Sequence, residues 1–465
     1  MTRRLHEDVA IAGGSFAHIA LLALLTLYFL VWPLWRVLFP IDIAWNEGWN
    51  AYFADAAGGK GGALYPAADT LIVNNYPPLS FYALGWAQNV FGDALYIGRV
   101  LSVLATLGIG AMVARIVVQL GAGRVAAAIA GIWFVAIMAR SFDRFVGMND
   151  PQLAAQFLMV VALSWFLSRD RSGKSAVPPV LLMVVAGFWK HSIVVIPATT
   201  LGWLILRDRW RALWPLAIGV AAAALGLALC IAIFGDAFVA NLLTPRAYSI
   251  GRALGALGRL QWVLPALIIW ALWAWRERAT TSARFTALYI AIALVIYVIL
   301  WSGEGVLNNA QFDLVIAAAI GAGLAYDQAD RMAILGHHGV AVARTVVVLI
   351  LVLRLLATLR IESFLLLTDP AYRAELSAHA EIARAEARRV GAMPGPVACY
   401  YNVICRMAGK PHVYDDFRVE QLIATGRANG LTEPELLRQR GITEAKIDPA
   451  VSIESLYREL FTRAR

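Results

Sequence analysis

The sequence predicts an all-α polytopic membrane protein of about eleven transmembrane helices, carrying a small α/β domain at its C-terminal end. Three observations lead there. Hydrophobic residues make up 60% of the 465-residue chain and charged residues only 15%, against roughly 25% charged in soluble domains. Apolar runs recur up to about residue 359, many near the roughly 20 residues a helix needs to satisfy its backbone across a bilayer. Beyond that point the runs cease, and Ala, Arg and Glu recur at helical spacing. The 16 tryptophans and 15 tyrosines suit belts at the two membrane interfaces. A net charge of +9 raises the possibility of nucleic-acid binding. Its arginines sit in short clusters between apolar runs, so topology accounts for them and nucleic acid is excluded as a partner.

The first run, Val9 to Trp35, contains His18 and no charge. It is too long for a signal-peptide core and no small-residue cleavage site follows it, so it reads as an uncleaved span. Further spans fall near 96–119, 124–139, 150–167, 177–189, 192–206, 212–234, 261–275, 285–301, 311–326 and 343–359. With the N-terminus inside, the inner loops hold the clusters Arg169/Arg171/Lys174, Arg207/Arg209/Arg211 and Arg276/Arg278/Arg284. The outer loops hold the sparser Lys60, Arg140, Arg144, Lys190, Arg246, Arg252 and Arg259. The positive-inside rule favours that orientation. An odd number of spans then puts the tail, 360–465, outside.

The segment 177–206 is either one overlong kinked helix or two short ones meeting at Lys190-His191. A single helix would send the Arg207–Arg211 cluster outside, so the positive charges prefer a hairpin. Its arms are short for full spans, which sets Lys190 and His191 within membrane depth. In the tail, 371–389 reads as an amphipathic helix and Val397–Tyr401 as a strand. Residues 402–408 read as a helix and His412–Tyr414 as a second strand, a β-α-β fragment without a Gly-rich phosphate loop. Cys230 is a packing residue, and Cys399 with Cys405 is a possible disulfide in an oxidising compartment. The division expected is a membrane module, 1–359, whose outer loop 40–95 carries an acidic motif, and a tail domain, 360–465.

Chemistry concentrates at the outer exits of the spans. Asp42-Ile-Ala-Trp-Asn-Glu47 follows the first span, and Asn74-Asn75-Tyr76-Pro77-Pro78 closes the same loop. Carboxylates at a membrane exit followed by a Tyr-Pro-Pro return resemble the layout of integral-membrane glycosyltransferases. Transfer from a lipid phosphate needs a base for the acceptor hydroxyl and cations for the departing phosphate. Asp42 and Glu47 are the candidate bases; five residues apart, they do not share a helix face as an i,i+4 pair does. Lys190, His191 and Arg246 are the candidate phosphate ligands, since an ionisable group at membrane depth usually faces a cavity and a partner. Asp143 and Asp150, in the second outer loop with Arg140 and Arg144, are candidates for acceptor or sugar binding together with Asn75 and Tyr76. Simple roles compete with these: solvated loop acids, local ion pairs, an N-cap for Asp150 before Pro151, headgroup contact for Arg246.

The stretch 42–102 resembles the first outer loop of the GT-C superfamily of membrane glycosyltransferases. It looks most like the family-39/83-like branch, which includes aminoarabinose lipid-A transferases and protein O-mannosyltransferases. Asn46-Glu47-Gly-Trp-Asn-Ala-Tyr52 resembles that branch's Asp-Glu pair and following Tyr; Leu64-Tyr65-Pro66 and Tyr76-Pro77-Pro78-Leu79 match its loop end. Gly98-Arg99 matches the next span, Met148-Asn149-Asp150-Pro151 the acidic second loop, and Phe188-Trp189-Lys190 the lysine-bearing hairpin. The resemblance implies inverting transfer of a sugar from a polyprenyl-phosphate donor to an extracytoplasmic lipid, glycan or protein acceptor, in the bacterial inner membrane among its lipids. In parts of the family it also implies a carboxylate-bound divalent cation. Two departures bear on that ion: Asn46 stands where the first acid belongs, and Asn75-Tyr76 where some members place an acid and a base. The alternatives are a polymerase or ligase using diphosphate-linked glycans, and a non-enzymatic lipid or solute transporter. Transporters favour paired halves with matching broken helices, and this chain shows one hairpin.

Overall fold

The computed structural model describes residues 2–329, 336–357 and 360–452; the side chains of 2–13 and 336–338 lie outside the described set. Helix α1 (Thr2–Arg36) leads into a loop and the short α2 (Asn46–Ala57). A second loop reaches α3 (Leu79–Phe91), α4 (Ala94–Gln119), α5 (Arg124–Ser141) and α6 (Pro151–Arg171). Then come α7 (Val177–Trp189), α8 (Val195–Arg207), α9 (Arg209–Phe234), α10 (Asp236–Leu242), α11 (Ile250–Gly258) and α12 (Leu264–Arg276). The membrane part ends with α13 (Thr281–Trp301), α14 (Phe312–Asp327) and α15 (Gly336–Leu356).

Among the described residues, each of the eleven apolar segments read from the sequence falls largely on a helix, but they are not equal. Among the described residues, eight helices are long and apolar enough to cross a membrane alone. A ninth crossing requires the pair 250–262 and 264–276, which is bent by 80°. Helices α7 and α8 have 13 residues each, about 20 Å at 1.5 Å per residue, against a hydrocarbon core of about 30 Å. The chain breaks between them at Lys190–Val194.

Helix α14 is the centre of the bundle, with 89% of its apolar window buried. Its run Ala317-Ala-Ala-Ile-Gly321-Ala-Gly323 lets neighbours close in: a Cβ on Gly321 would sit 2.5 Å from the Trp270 ring, and one on Gly323 2.8 Å from Ala130. Helices α4 and α5 cross at Gly110 and Gly131, where a Cβ on Gly131 would lie 2.5 Å from the Gly110 carbonyl. Small residues at such crossings replace the hydrophobic drive that lipid removes. Helix α9 is the opposite case, only 11% buried in its apolar window, as suits a helix facing lipid tails.

The tail contains α16 (Glu362–Thr368), α17 (Pro370–Ala392), β1 (Val397–Ala398), α18 (Asn402–Met407), α19 (Asp416–Ala424), α20 (Glu433–Gln439) and β2 (Thr443–Glu444). The amphipathic helix is present and capped by Asp369. The strands need correction. β1 pairs in parallel with Thr443–Glu444, and 412–414 forms no strand. That segment docks on the first loop instead: the His412 ring stacks on Tyr52 at 4.7 Å, and the Asp415 amide donates to the Leu71 carbonyl at 2.9 Å. Cys399 and Cys405 form a disulfide, and Cys230 is buried and free. Arg406 joins tail to loop through Asp55 (2.7 Å) and Asp93 (2.8 Å). Val403 packs where Gly48 has no side chain; a Cβ there would lie 2.4 Å from the Val403 amide. The tail therefore forms one wall over the α1–α2 loop.

Candidate active site

The first element of the site is a buried clasp. Glu47, in the first turn of α2, is fully buried against Arg99 of α4. Its two oxygens accept from Arg99 Nε (2.9 Å) and a terminal guanidinium nitrogen (2.7 Å), and from the amides of Asn149 (2.8 Å) and Ile43 (2.8 Å). Arg99 spends its remaining hydrogens on the carbonyls of Phe39 (2.6 Å) and Ile41 (2.8 Å). Every strong lone-pair direction of Glu47 is thus used to join the first loop, α4 and the loop before α6. Asp42 is also fully buried, with no hydrogen bond to either carboxylate oxygen apart from a weak approach to the Ala44 amide. Burial, and then the Glu47 charge, push its carboxyl well above the usual range, opposed by Arg99 and Arg144. Neither candidate base is among the residues lining the cleft, the recess beside it or the cavity at Asp143.

The cleft itself lies beside this clasp. Its walls are Trp45, Asn46 and Trp49 from the first loop and α2, Asn75 and Tyr76 from the loop end, and Asp150, Arg246, Asn309, Asp415 and Phe417. Adjoining it, sharing Asn75, Tyr76, Arg246 and Asn309, is a recess bounded by Gln152, Lys190, His191 and Ser192. Asp150 caps α6, accepting from the Gln152 amide at 2.7 Å, and Pro151 in the first helical position reinforces the start. The N-cap role and a role in the cleft coincide. Lys190, released from the end of α7 where the helix stops, reaches Asp150 at 2.9 Å and lies over the Tyr76 ring at 4.6 Å. Asn46 donates to the other Asp150 oxygen at 3.0 Å.

Tyr76 is held by its neighbours. Its amide donates to the Asn74 side chain at 3.1 Å, and its carbonyl accepts from the Tyr65 hydroxyl at 3.0 Å. Arg246 sits on a segment stitched to the turn after α13, with Ser249 donating to Ser302 at 2.9 Å and Glu304 to Ala247 at 3.0 Å. Its guanidinium lies over the Phe417 ring at 5.1 Å, and no carboxylate pairs with it among the described residues. Such a cation can grip a phosphate in two-pronged fashion.

Six of the sequence candidates therefore meet here: Asn75, Tyr76, Asp150, Lys190, His191 and Arg246. Asp143 does not. It lies in a neighbouring cavity between Arg36 (3.6 Å) and Arg360 (2.5 Å). Among the wall residues that escaped sequence reading are Asp415 and Phe417, because nothing in a 415–417 segment of the tail announces that it folds over a loop 340 residues earlier, at Asn75. Burial, and the adjacent Asp416, raise the Asp415 carboxyl to about 7. Among the described residues no three His, Cys, Asp or Glu side chains converge as a metal-ligand set.

With eight helices among the described residues long and apolar enough to cross a membrane, the chain is a multi-pass membrane protein whose fold is shared with solved structures. Among solved structures it is similar to ArnT from Cupriavidus metallidurans in the apo state, with a TM-score of 0.58 and 16% identity over 90% of this chain and 89% of that one. ArnT bound to undecaprenyl phosphate gives 0.55 and 17% over 96% and 91%. The archaeal oligosaccharyltransferase AglB from Archaeoglobus fulgidus, in complex with an inhibitory peptide and a dolichol-phosphate, gives 0.51 and 13% over 87% and 64%. No family model and no curated protein matches the sequence.

Proposed function

We propose that the chain is an integral-membrane glycosyltransferase that moves a sugar from a polyprenyl-phosphate carrier to an acceptor outside the cytoplasm. The observation that carries this reading is the recess at the break between α7 and α8. There Lys190, His191 and Arg246 gather beside a cleft carboxylate, Asp150, at the end of two short apolar helices. A lipid-borne phosphate ends at that depth. In this reading its tail lies along the apolar groove of Val180, Met183, Val184, Pro197 and Leu216, which opens at His191. ArnT was solved with undecaprenyl phosphate and AglB with a dolichol-phosphate, which supports the same ligand class here.

Lys190 and Arg246 hold the donor phosphate and stabilise the charge that grows on it as the sugar leaves. Asp150, fixed by Lys190 and Asn46, sets the sugar, while Asn75 and Tyr76 face the acceptor. Glu47 positions the loop through Arg99. The orientation assigned is N-terminus inside, with cleft and tail facing the periplasm of a bacterial inner membrane. The test offers purified protein, without other enzymes, either an undecaprenyl-phosphate sugar or the matching nucleotide sugar. Turnover of the lipid-linked donor alone is expected. Turnover of the nucleotide sugar alone refutes the reading.

A further inference from the structure

If the cleft transfers sugar as proposed, the acceptor proton needs a destination, and the first loop supplies none. Glu47 is spent on Arg99, and Asp42 is sealed from the cleft. Asp150 accepts from Lys190, Asn46 and the Gln152 amide. Asn46 stands on the cleft wall, and its own side-chain oxygen is buried without a partner. The other acid on the wall comes from the tail. Asp415 is 1% exposed and starts α19, accepting from the Phe417 amide at 3.1 Å. No lysine or arginine lies within ion-pair distance of it among the described residues. The segment is firmly seated: the Asp415 amide donates to Leu71 O (2.9 Å), and Arg418 donates to Ala68 O and Thr244 Oγ1 (2.8 Å each).

We propose that Asp415, delivered by the C-terminal domain, is the general base that takes the acceptor proton. The acceptor oxygen bonds to the anomeric carbon of the donor as that carbon's bond to the phosphate oxygen breaks. The phosphate leaves with the bonding pair, onto Lys190 and Arg246, and the acceptor proton passes to the Asp415 carboxylate and then to water. The two cleft acids are thereby divided: Asp150 is tied to a cation and Asp415 to none, and such asymmetry separates acid–base roles. The charged groups facing Asp415 are Asp416 and Arg418 on its own helix, and Asp150 and Arg246 across the cleft. Burial and Asp416 bring its carboxyl to about 7, close to the working pH that suits a base.

The proposal rests on the transferase reading, and one experiment separates the two. The full chain in lipid nanodiscs is given undecaprenyl-phosphate sugars one at a time. Consumption is followed against pH, with water or a membrane lipid extract as acceptor. Wild type is expected to gain kcat/KM as pH rises through about 7, then level off. Asp415→Asn keeps a good helix cap and should keep undecaprenyl-phosphate binding. It should nonetheless lose roughly 10²–10⁴-fold in turnover together with the rising limb; Asp415→Glu should restore the limb. Retention of that limb and rate by Asp415→Asn overturns the assignment while leaving the transferase standing. Loss of undecaprenyl-phosphate binding by Asp415→Asn also overturns it, since the residue would then be structural. A wild type that consumes no undecaprenyl-phosphate sugar overturns both.

Discussion

Glu47→Gln discriminates between a carboxylate that reacts and one that holds the fold. In the structure Glu47 accepts four hydrogen bonds, two of them from Arg99, and both side chains are fully buried. A glutamine keeps the shape but loses the charge, and its amide nitrogen faces donors where an oxygen stood. Removing one partner of a buried pair leaves the other charge uncompensated, at a cost of about 3–5 kcal/mol. At about 1–2 °C per kcal/mol, an extension of small-domain scaling to this larger chain, the melting temperature should fall by roughly 5 °C. Unfolding followed by tryptophan fluorescence in detergent, beside donor turnover on the fraction still folded, measures both effects. Adding Arg99→Met should recover much of the loss, because removing both charges costs less than removing one. A variant that melts with the parent yet transfers no sugar would refute this reasoning and return Glu47 to the chemistry.

Lys190→Gln and Arg246→Gln should each weaken undecaprenyl-phosphate binding by roughly 10- to 100-fold, the loss of one charge-assisted hydrogen bond of about 1.5–3 kcal/mol, read by titration calorimetry in nanodiscs. Asp42→Asn should stabilise the protein increasingly as pH rises above the ordinary carboxylate range. Burial raises that carboxyl in the folded chain above its value in the unfolded chain, so stability is lost as pH rises above the ordinary carboxylate range in the parent; equal melting of parent and variant at all pH values would contradict it. A thiol placed at the exposed Ser377 should be labelled from outside intact cells, and one at the exposed Ser172 only after permeabilisation. The reverse result would invert the proposed orientation.

The membrane helices were legible because lipid imposes one rule, a long apolar run, and the sequence obeys it up to α15. The break at Lys190 was legible from charge: of the two readings of 177–206, only two short helices kept the Arg207–Arg211 cluster on the side expected to face inward. Less legible was which acid does what. Asp42 and Glu47 stand out in the sequence as acids at a membrane exit, yet their surroundings come from Arg99 and Asn149, 52 and 102 residues from Glu47. Asp150 could be read as an N-cap or as a cleft residue, and its geometry makes it both. The tail strand at 412–414 failed because its alternating pattern belongs to a segment that packs on Tyr52 and Leu71, where loop contacts outweigh strand propensity.

The placement of charge in the cleft follows from these origins. Cations come from the chain break after α7, where His191 also borders the apolar groove of Val180, Met183 and Pro197, and from the segment at Arg246. Carboxylates come from the start of α6 and from the tail. Phe417 belongs to both sets: its ring lies under Arg246 and it also fills the space that Gly305 leaves open, where a Cβ would sit 2.6 Å away. A bulky residue at 305, whose φ of +73° already disfavours side chains, would displace that ring, and with it the cation and the start of α19 that carries Asp415. The Arg246 and Asp415 sides of the cleft are therefore coupled through one aromatic ring from the tail, so the tail belongs to the cleft's geometry as well as to its cover.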